Sequence, residues 1–212
     1  MMQPLLNTLD HTALLVIDMQ NAYCHPQGGM AKGGKNINLM RQSIQPIVEL
    51  IQLCRRQGIP ILLSQQEHWG NADLTRRKHA IPSHLDRQKI SIAERGTWDF
   101  ELLDEIKAVL QPEDNVFVKH RMSCFFDTNL ATRLRMLDVT QLIIGGVATN
   151  VCVESTIRDA YFRDFDIIVV PECVGGPWPE LHANTLKNVE MLFGRLVSLA
   201  DLYTAFGARV MV

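Results

Sequence analysis

Apolar residues along this chain gather in short unbroken runs, separated by longer stretches in which they recur at every third or fourth position. Ala13–Ile17 is the first run and is closed by Asp18. Pro60–Leu63 follows Gly58, Val116–Val118 is closed by Lys119, and Gln141–Ile144 leads into Gly145 and Gly146. Ile167–Val170 is closed by Pro171, and Arg195–Ser198 is a sixth, weaker run. A run that is apolar on both alternating faces suits a strand covered on both sides, as in a parallel sheet. Between the runs, Asn36–Gln57 carries Ile37, Met40, Ile44, Ile47, Val48, Ile51 and Cys54 on one helical stripe. Thr97–Val109, Thr128–Leu137, Val151–Arg163 and Pro179–Phe193 read as helices for the same reason. Tyr23–Lys35 and Glu67–Arg95 are polar, rich in Gly, Pro or charge, and read as loops; the second is expected to form a partial lid or an oligomer contact. The alternation of strand and helix predicts an α/β, doubly wound fold in a single domain spanning residues 1–212.

Composition narrows the function. Hydrophobic residues make up 47% and charged residues 21%, so the chain can bury a core and is not disordered. The 21 basic and 23 acidic side chains leave a formal charge of −2, with no basic excess for nucleic acid or an anionic membrane. No apolar run approaches the ~20 residues of a membrane-spanning helix. Met1–Asp10 lacks a charged start followed by an apolar stretch, so no secretory signal is expected. The five cysteines, Cys24, Cys54, Cys124, Cys152 and Cys173, are odd in number and contain no C-x-x-C pair. That usage points to a reducing, cytoplasmic setting, and each thiol then needs explaining as packing or as chemistry.

The chemistry gathers at the strand ends. Parallel strands carry their carboxyl ends to one edge, where open α/β sheets hold their ligands. Asp18 and Lys119 close two runs, and the fourth leads through Gly145–Val151 to Cys152. Cys152 lies where a helix is expected to begin, with Thr149 or Asn150 as cap and Glu154 in the first turn. A helix N-terminus and a nearby lysine both lower a thiol pKa, and the backbone N–H groups there can hold an oxyanion. Asp18 can accept the thiol proton while Lys119 orients the carboxylate. Taken residue by residue, a buried packing thiol and a structural Asp18–Lys119 ion pair remain open alternatives.

Three segments carry a resemblance. Leu14-Leu-Val-Ile-Asp-Met-Gln20, Val118-Lys-His-Arg121 and Gly145-Gly-Val-Ala-Thr-Asn-Val-Cys-Val-Glu-Ser-Thr156 resemble the isochorismatase-like cysteine hydrolases, over about Leu14 to Phe206. The resemblance implies a six-stranded parallel sheet flanked by helices and an Asp18, Lys119, Cys152 triad. It also implies a cis peptide at Val147–Ala148 and an oxyanion hole built from the N–H groups of Ala148 and Cys152. Members that cleave vinyl ethers lack the cysteine, so Cys152 favours amide hydrolysis. Nicotinamidases carry an Asp/His metal cluster after the second strand, whereas Leu63-Ser-Gln-Gln-Glu-His-Trp69 offers a lone His68. No metal and no cofactor are therefore expected. Gly96-Thr-Trp98 and Lys119–Thr128 look like the ureidoacrylate amidohydrolases and biuret hydrolases, which implies a small planar ureido, carbamoyl or carboxamide substrate. Gln65–His68 and Gly175–Trp178 depart from both subgroups.

Tyr23, Gln66, Trp69, Arg121 and Phe125 are the candidate substrate contacts. Arg121 can instead pair with Glu154 or Asp127, and Phe125 can belong to the core. Cys24 and Cys124 are expected near the pocket rim, and Cys54 and Cys173 in packing. The apolar C-terminus, with Leu199, Leu202, Phe206, Val210 and Val212, can seal the fold or an interface, and the resemblance implies a dimer or tetramer. Two other functional classes compete: an ether- or ester-type hydrolase on the same scaffold, and a non-catalytic binding protein that kept the fold. Thiol labelling separates the last, since a nucleophilic Cys152 alkylates faster near neutral pH than four structural cysteines.

Overall fold

The computed structural model describes residues 9–68 and 92–207. Six strands form one sheet: β1 (Thr12–Ile17), β2 (Ile61–Gln66), β3 (Asn115–Lys119), β4 (Gln141–Val147), β5 (Asp166–Gly175) and β6 (Arg195–Leu196). Their order is β3-β2-β1-β4-β5-β6, and every neighbouring pair is parallel. All six apolar runs thus become strands. β1 and β4 are buried along their whole length, which is why their sequences lack polar alternation.

The order reverses between β1 and β4. The chain first steps outward through β2 to β3, then crosses back to β4 and continues to β5 and β6. Right-handed crossovers place the helices of the two directions on opposite faces. One face packs α3 (Asn38–Gln42), α4 (Ile44–Arg56), α5 (Asp104–Lys107) and α9 (Leu199–Ala205) against Leu14, Val16 and Ile143. The other packs α6 (Leu130–Met136) and α7 (Glu154–Tyr161) against Ala13, Leu15, Ile17 and Ile144. The side chains of β1 alternate strictly between these two cores.

Several helices are shorter than their apolar stripes. Asn36–Gln57 divides at Ser43, whose Oγ donates to the Met40 carbonyl at 2.8 Å. Pro46 has no N–H to give a continuous helix and sits in the first turn of α4 instead. Thr97–Val109 resolves into a 3₁₀ turn at Trp98–Phe100 and α5. Val151–Arg163 begins as a π-helical turn at Thr149–Val153 before α7. Pro179–Phe193 is α8 (Pro179–Asn188) followed by a second π-helical turn at Val189–Phe193. Tyr23–Lys35, read as a loop, contains two single-turn helices, α1 (Asn21–Cys24) and α2 (Gly29–Lys32). Of the Glu67–Arg95 segment, residues 69–91 lie outside the described residues. Leu199 and Leu202 seal the first core, so that part of the C-terminal apolar stripe closes this fold; Val210 and Val212 lie outside the described residues.

Two features set the edge where the site forms. Asp18 leaves β1 in the left-handed region (φ 53°), which aspartate tolerates better than most residues. Beside it Gly146 has φ 125°, and a Cβ there would stand 2.2 Å from the Ile17 carbonyl oxygen. Only glycine lets the end of β4 approach β1 this closely. Among the described residues, no helix is long and apolar enough to cross a membrane.

Candidate active site

Asp18, Lys119 and Cys152 converge at the carboxyl edge of the sheet. Lys119 sits at the end of β3, two strands from Asp18, with Gln66 of β2 directly beside it in register. Its side chain passes over the end of β2, and Nζ lies 2.8 Å from Asp18 Oδ2. The ammonium also donates to Gln66 Oε1 at 2.7 Å and to the Arg121 carbonyl at 3.1 Å. Both Asp18 and Lys119 are 0% exposed. A buried charge pair of this kind persists only where its polar atoms find partners. Ser64, on the same face of β2 as Gln66, supplies one: its Oγ donates to Asp18 Oδ1 at 2.7 Å. Asp18 Oδ2 takes no aligned hydrogen bond from the described residues and is held by the Lys119 ammonium as an ion pair.

The nucleophile candidate approaches from β4. The Val147–Ala148 peptide is cis, and the π-helical turn that follows delivers Cys152. Thr156 Oγ1 donates to the Cys152 carbonyl at 2.7 Å and accepts the Cys124 N–H at 3.0 Å, tying this turn to the segment after Lys119. The Cys152 thiol lies close enough to Asp18 for the carboxylate to act on it. Its pKa is pushed up, first by burial and then by the Asp18 carboxylate, while Lys119 works the other way. This corrects the expectation of a helix-lowered thiol pKa: burial and the facing carboxylate favour the protonated sulfur. Burial is the largest influence on the Lys119 pKa and works to lower it, but the Asp18 charge together with smaller contributions from Cys152 and Cys124 outweighs it, and the pKa is raised.

The candidate substrate contacts divide. Tyr23 faces the site: burial, then Asp18 and Cys152, push its phenol well above the usual value. Gln66 carries its carboxamide inward, Oε1 on Lys119 and Nε2 on the Glu67 carbonyl, so in this arrangement it positions the lysine. Arg121 is exposed, with Nη1 on the His120 carbonyl at 2.8 Å; Glu154 is instead taken by Arg158 at 2.6 Å. Phe125 packs in the second core against Phe165, with the Arg163 guanidinium 4.9 Å from its ring centroid. Trp69 lies outside the described residues. Cys24 and Cys124 lie near Asp18, but fully buried rather than at a rim.

Two contributors escaped the sequence reading. Ser64 holds Asp18, and only the parallel pairing of β1 with β2 reveals that. His182 of α8 places Nδ1 2.9 Å from Thr149 Oγ1, bracing the turn before Cys152 from outside. Thr149 is thus occupied sideways and does not cap α7, and Asn150 does not cap it either. No local signal marks His182, since it is brought in by the β5-to-α8 connection. Among the described residues, no three His, Cys, Asp or Glu side chains converge as a metal ligand set. The Ser64 contact makes a prediction. Ser64→Ala leaves Asp18 Oδ1 unmatched and should lower kcat about ten-fold with KM nearly constant, read in steady-state kinetics. An unchanged kcat would remove Ser64 from the site.

The chain is similar to known proteins over most of its length. Ureidoacrylate amidohydrolase RutB of Pantoea ananatis is 32% identical over 212 residues, covering 94% of this chain and 84% of its own. The RutB of Caulobacter segnis is also 32% identical, covering 92% and 86%. Among solved structures, a cysteine hydrolase from Pseudomonas syringae pv. phaseolicola superimposes with a TM-score of 0.80 at 24% identity, covering 97% of this chain and 96% of its own. N-carbamoylsarcosine amidase from Thermoplasma acidophilum gives 0.70 at 23% identity, covering 88% and 95%. Those two likenesses speak to the fold. The isochorismatase domain matches residues 12–201, nearly the whole described sheet with its helices, and the chain therefore belongs to the isochorismatase domain family.

Proposed function

We propose that this protein is a cysteine-dependent amidohydrolase that cleaves a small ureido, carbamoyl or carboxamide substrate through a covalent acyl- or carbamoyl-cysteine. The carrying observation is the fully buried Asp18–Lys119 pair, whose carboxylate acts on the Cys152 thiol beside it. A scaffold kept for binding alone has no need to pair two charges out of water beside a thiol, because that pairing brings little net stability. The relatives named ureidoacrylate amidohydrolase support the choice of amide chemistry.

The steps follow from the groups present. Asp18 takes the Cys152 proton as the sulfur attacks the trigonal carbon of the bound amide. The oxyanion is received by the N–H groups of Ala148 and Cys152, an arrangement in which one donor is typically worth ~3–4 kcal/mol. Asp18 returns its proton to the departing nitrogen, and ammonia or an amine leaves. A water then gives its proton to Asp18 and attacks the thioester or thiocarbamate, restoring the thiol. Lys119 keeps Asp18 in place and balances its charge whenever the proton is elsewhere.

Ammonia release tests this directly. Purified protein would be screened against biuret, ureidoacrylate, N-carbamoyl amino acids, nicotinamide and simple amides, with Cys152→Ala as the control. Release that disappears in the variant is the expected result and names the substrate class. Release that survives Cys152→Ala would overturn the covalent mechanism.

A further inference from the structure

The outer face of α7 carries an apolar patch that the fold leaves uncovered. Phe162, at the C-terminal cap of α7, is 71% exposed, and Met191 and Leu192 of the second π-helical turn are 78% and 61% exposed. Tyr161 and Phe193 join them: the Tyr161 ring centroid lies 6.0 Å from that of Phe162 and 5.3 Å from that of Phe193. Single exposed apolar side chains are ordinary, whereas a contiguous group of large ones marks a contact surface. The charges of α7 indicate what this surface meets. The Phe162 N–H donates to the Arg158 carbonyl at 3.0 Å, so helical spacing runs on past Tyr161. That spacing sets Ser155, Asp159 and Phe162 on one face, with Arg158 and Arg163 on its two flanks. Arg158 engages Glu154 Oε1 through Nε and Nη2, and Asp159 engages Arg163 through Oδ1. Arg158 Nη1 and Asp159 Oδ2 are thereby left for a neighbour.

We propose that this face of α7 is the contact between two copies of the chain, with the two helices antiparallel about a two-fold axis that passes between residues 158 and 159. In that arrangement the helix complements itself. Arg158 faces the partner subunit's Asp159, and Glu154 faces the partner subunit's Arg163, so none of the four charges meets its like. Phe162 falls opposite the partner subunit's Ser155, where a small side chain leaves room for the ring. Every pairing occurs twice. Parallel helices in register would instead set each charge against its own copy, and opposed like charges disfavour an interface. An aromatic centre with a polar rim is the usual anatomy of such contacts. The proposal stands apart from the reading of the site as an amidohydrolase, because none of the residues given a chemical step takes part in it.

Sedimentation velocity on the full chain tests this. The wild type should sediment as two chains, or a multiple of two, at micromolar concentration. Phe162→Glu places a charge at the centre of the patch and should weaken association across this face about 30-fold or more. Because the position is exposed in the single chain, its circular dichroism spectrum should not change; should the variant fail to fold, Phe162→Ser is read in its place. Two further variants read the pairing itself. Asp159→Arg opposes arginine to arginine across the axis, and Arg158→Asp opposes aspartate to aspartate. Each alone should associate about ten-fold less tightly or worse. Mixed in equal amounts, the two should recover an assembly as tight as the wild type, since each supplies the charge that the other lacks. Neither variant alters Phe162, so recovery on mixing reports the facing charges and not the apolar patch. Three results overturn the proposal: a monomeric wild type, a Phe162 variant that associates as tightly as wild type, or a mixture no more associated than its components.

Discussion

Replacing Asp18 by asparagine should lower kcat about a thousand-fold and, at the same time, make the Cys152 thiolate easier to form. The two effects point in opposite directions and come from one carboxylate. In the proposed mechanism Asp18 carries the thiol proton to the leaving nitrogen, and general acid–base groups commonly contribute 10²–10⁴ in rate, so an intermediate loss of about 10³ is expected. Yet its negative charge, after burial, is the main influence holding the thiol pKa up, while Lys119 pulls it down. In Asp18→Asn the ammonium becomes the uncompensated charge beside the sulfur, so the thiol pKa falls from its raised value. Ultraviolet titration of the thiolate should therefore begin at lower pH in the variant than in the wild type, with Cys152→Ala subtracted from both. A thiolate that titrates at the same or higher pH would show that Asp18 does not act on Cys152 through its charge. A kcat within ten-fold of wild type would show that the proton travels elsewhere.

Lys119→Met should be the most destabilising single change at the site. It removes one member of a pair that is wholly out of water and leaves Asp18 as an unmatched buried carboxylate. Breaking such a pair typically costs ~3–5 kcal/mol. For a chain of about this size that lowers Tm by roughly 6–20 °C, at ~2–4 °C per kcal/mol. The double variant Asp18→Asn/Lys119→Met removes both charges, and most of the lost stability should return. The coupling between the two positions should then be about 2 kcal/mol or more in a denaturation cycle. Hydrolysis in the double variant should stay as low as in Asp18→Asn, because a neutral amide cannot accept the thiol proton. Strict additivity of the two single changes would mean that the pair is not coupled in solution.

The strands, their order of appearance and the three converging residues were legible in the sequence because each depends on local pattern. A strand covered on both sides must be apolar on both sides, and the runs ending at Asp18 and Lys119 show this without any knowledge of the fold. The rule that parallel strands open their site at the carboxyl edge then groups residues far apart in the chain. Helix length was less legible. An apolar stripe runs through Ser43 without a break, while the divided helix reflects Pro46 and the Ser43–Met40 bond, backbone events that hydrophobic spacing does not register.

What only the tertiary structure decided is who partners whom. Alternation puts Ser64 and Gln66 on one face of β2, but their engagement with Asp18 and Lys119 exists only once β1 and β3 flank that strand. His182 reaches the nucleophile turn through α8, and nothing near it in the chain announces this. The thiol is the sharpest case. Local rules about helix ends predict a lowered pKa for Cys152, and the folded protein raises it instead. Burial and a facing carboxylate are properties of the packed site, and in a water-poor interior they outweigh a contribution from one turn of backbone.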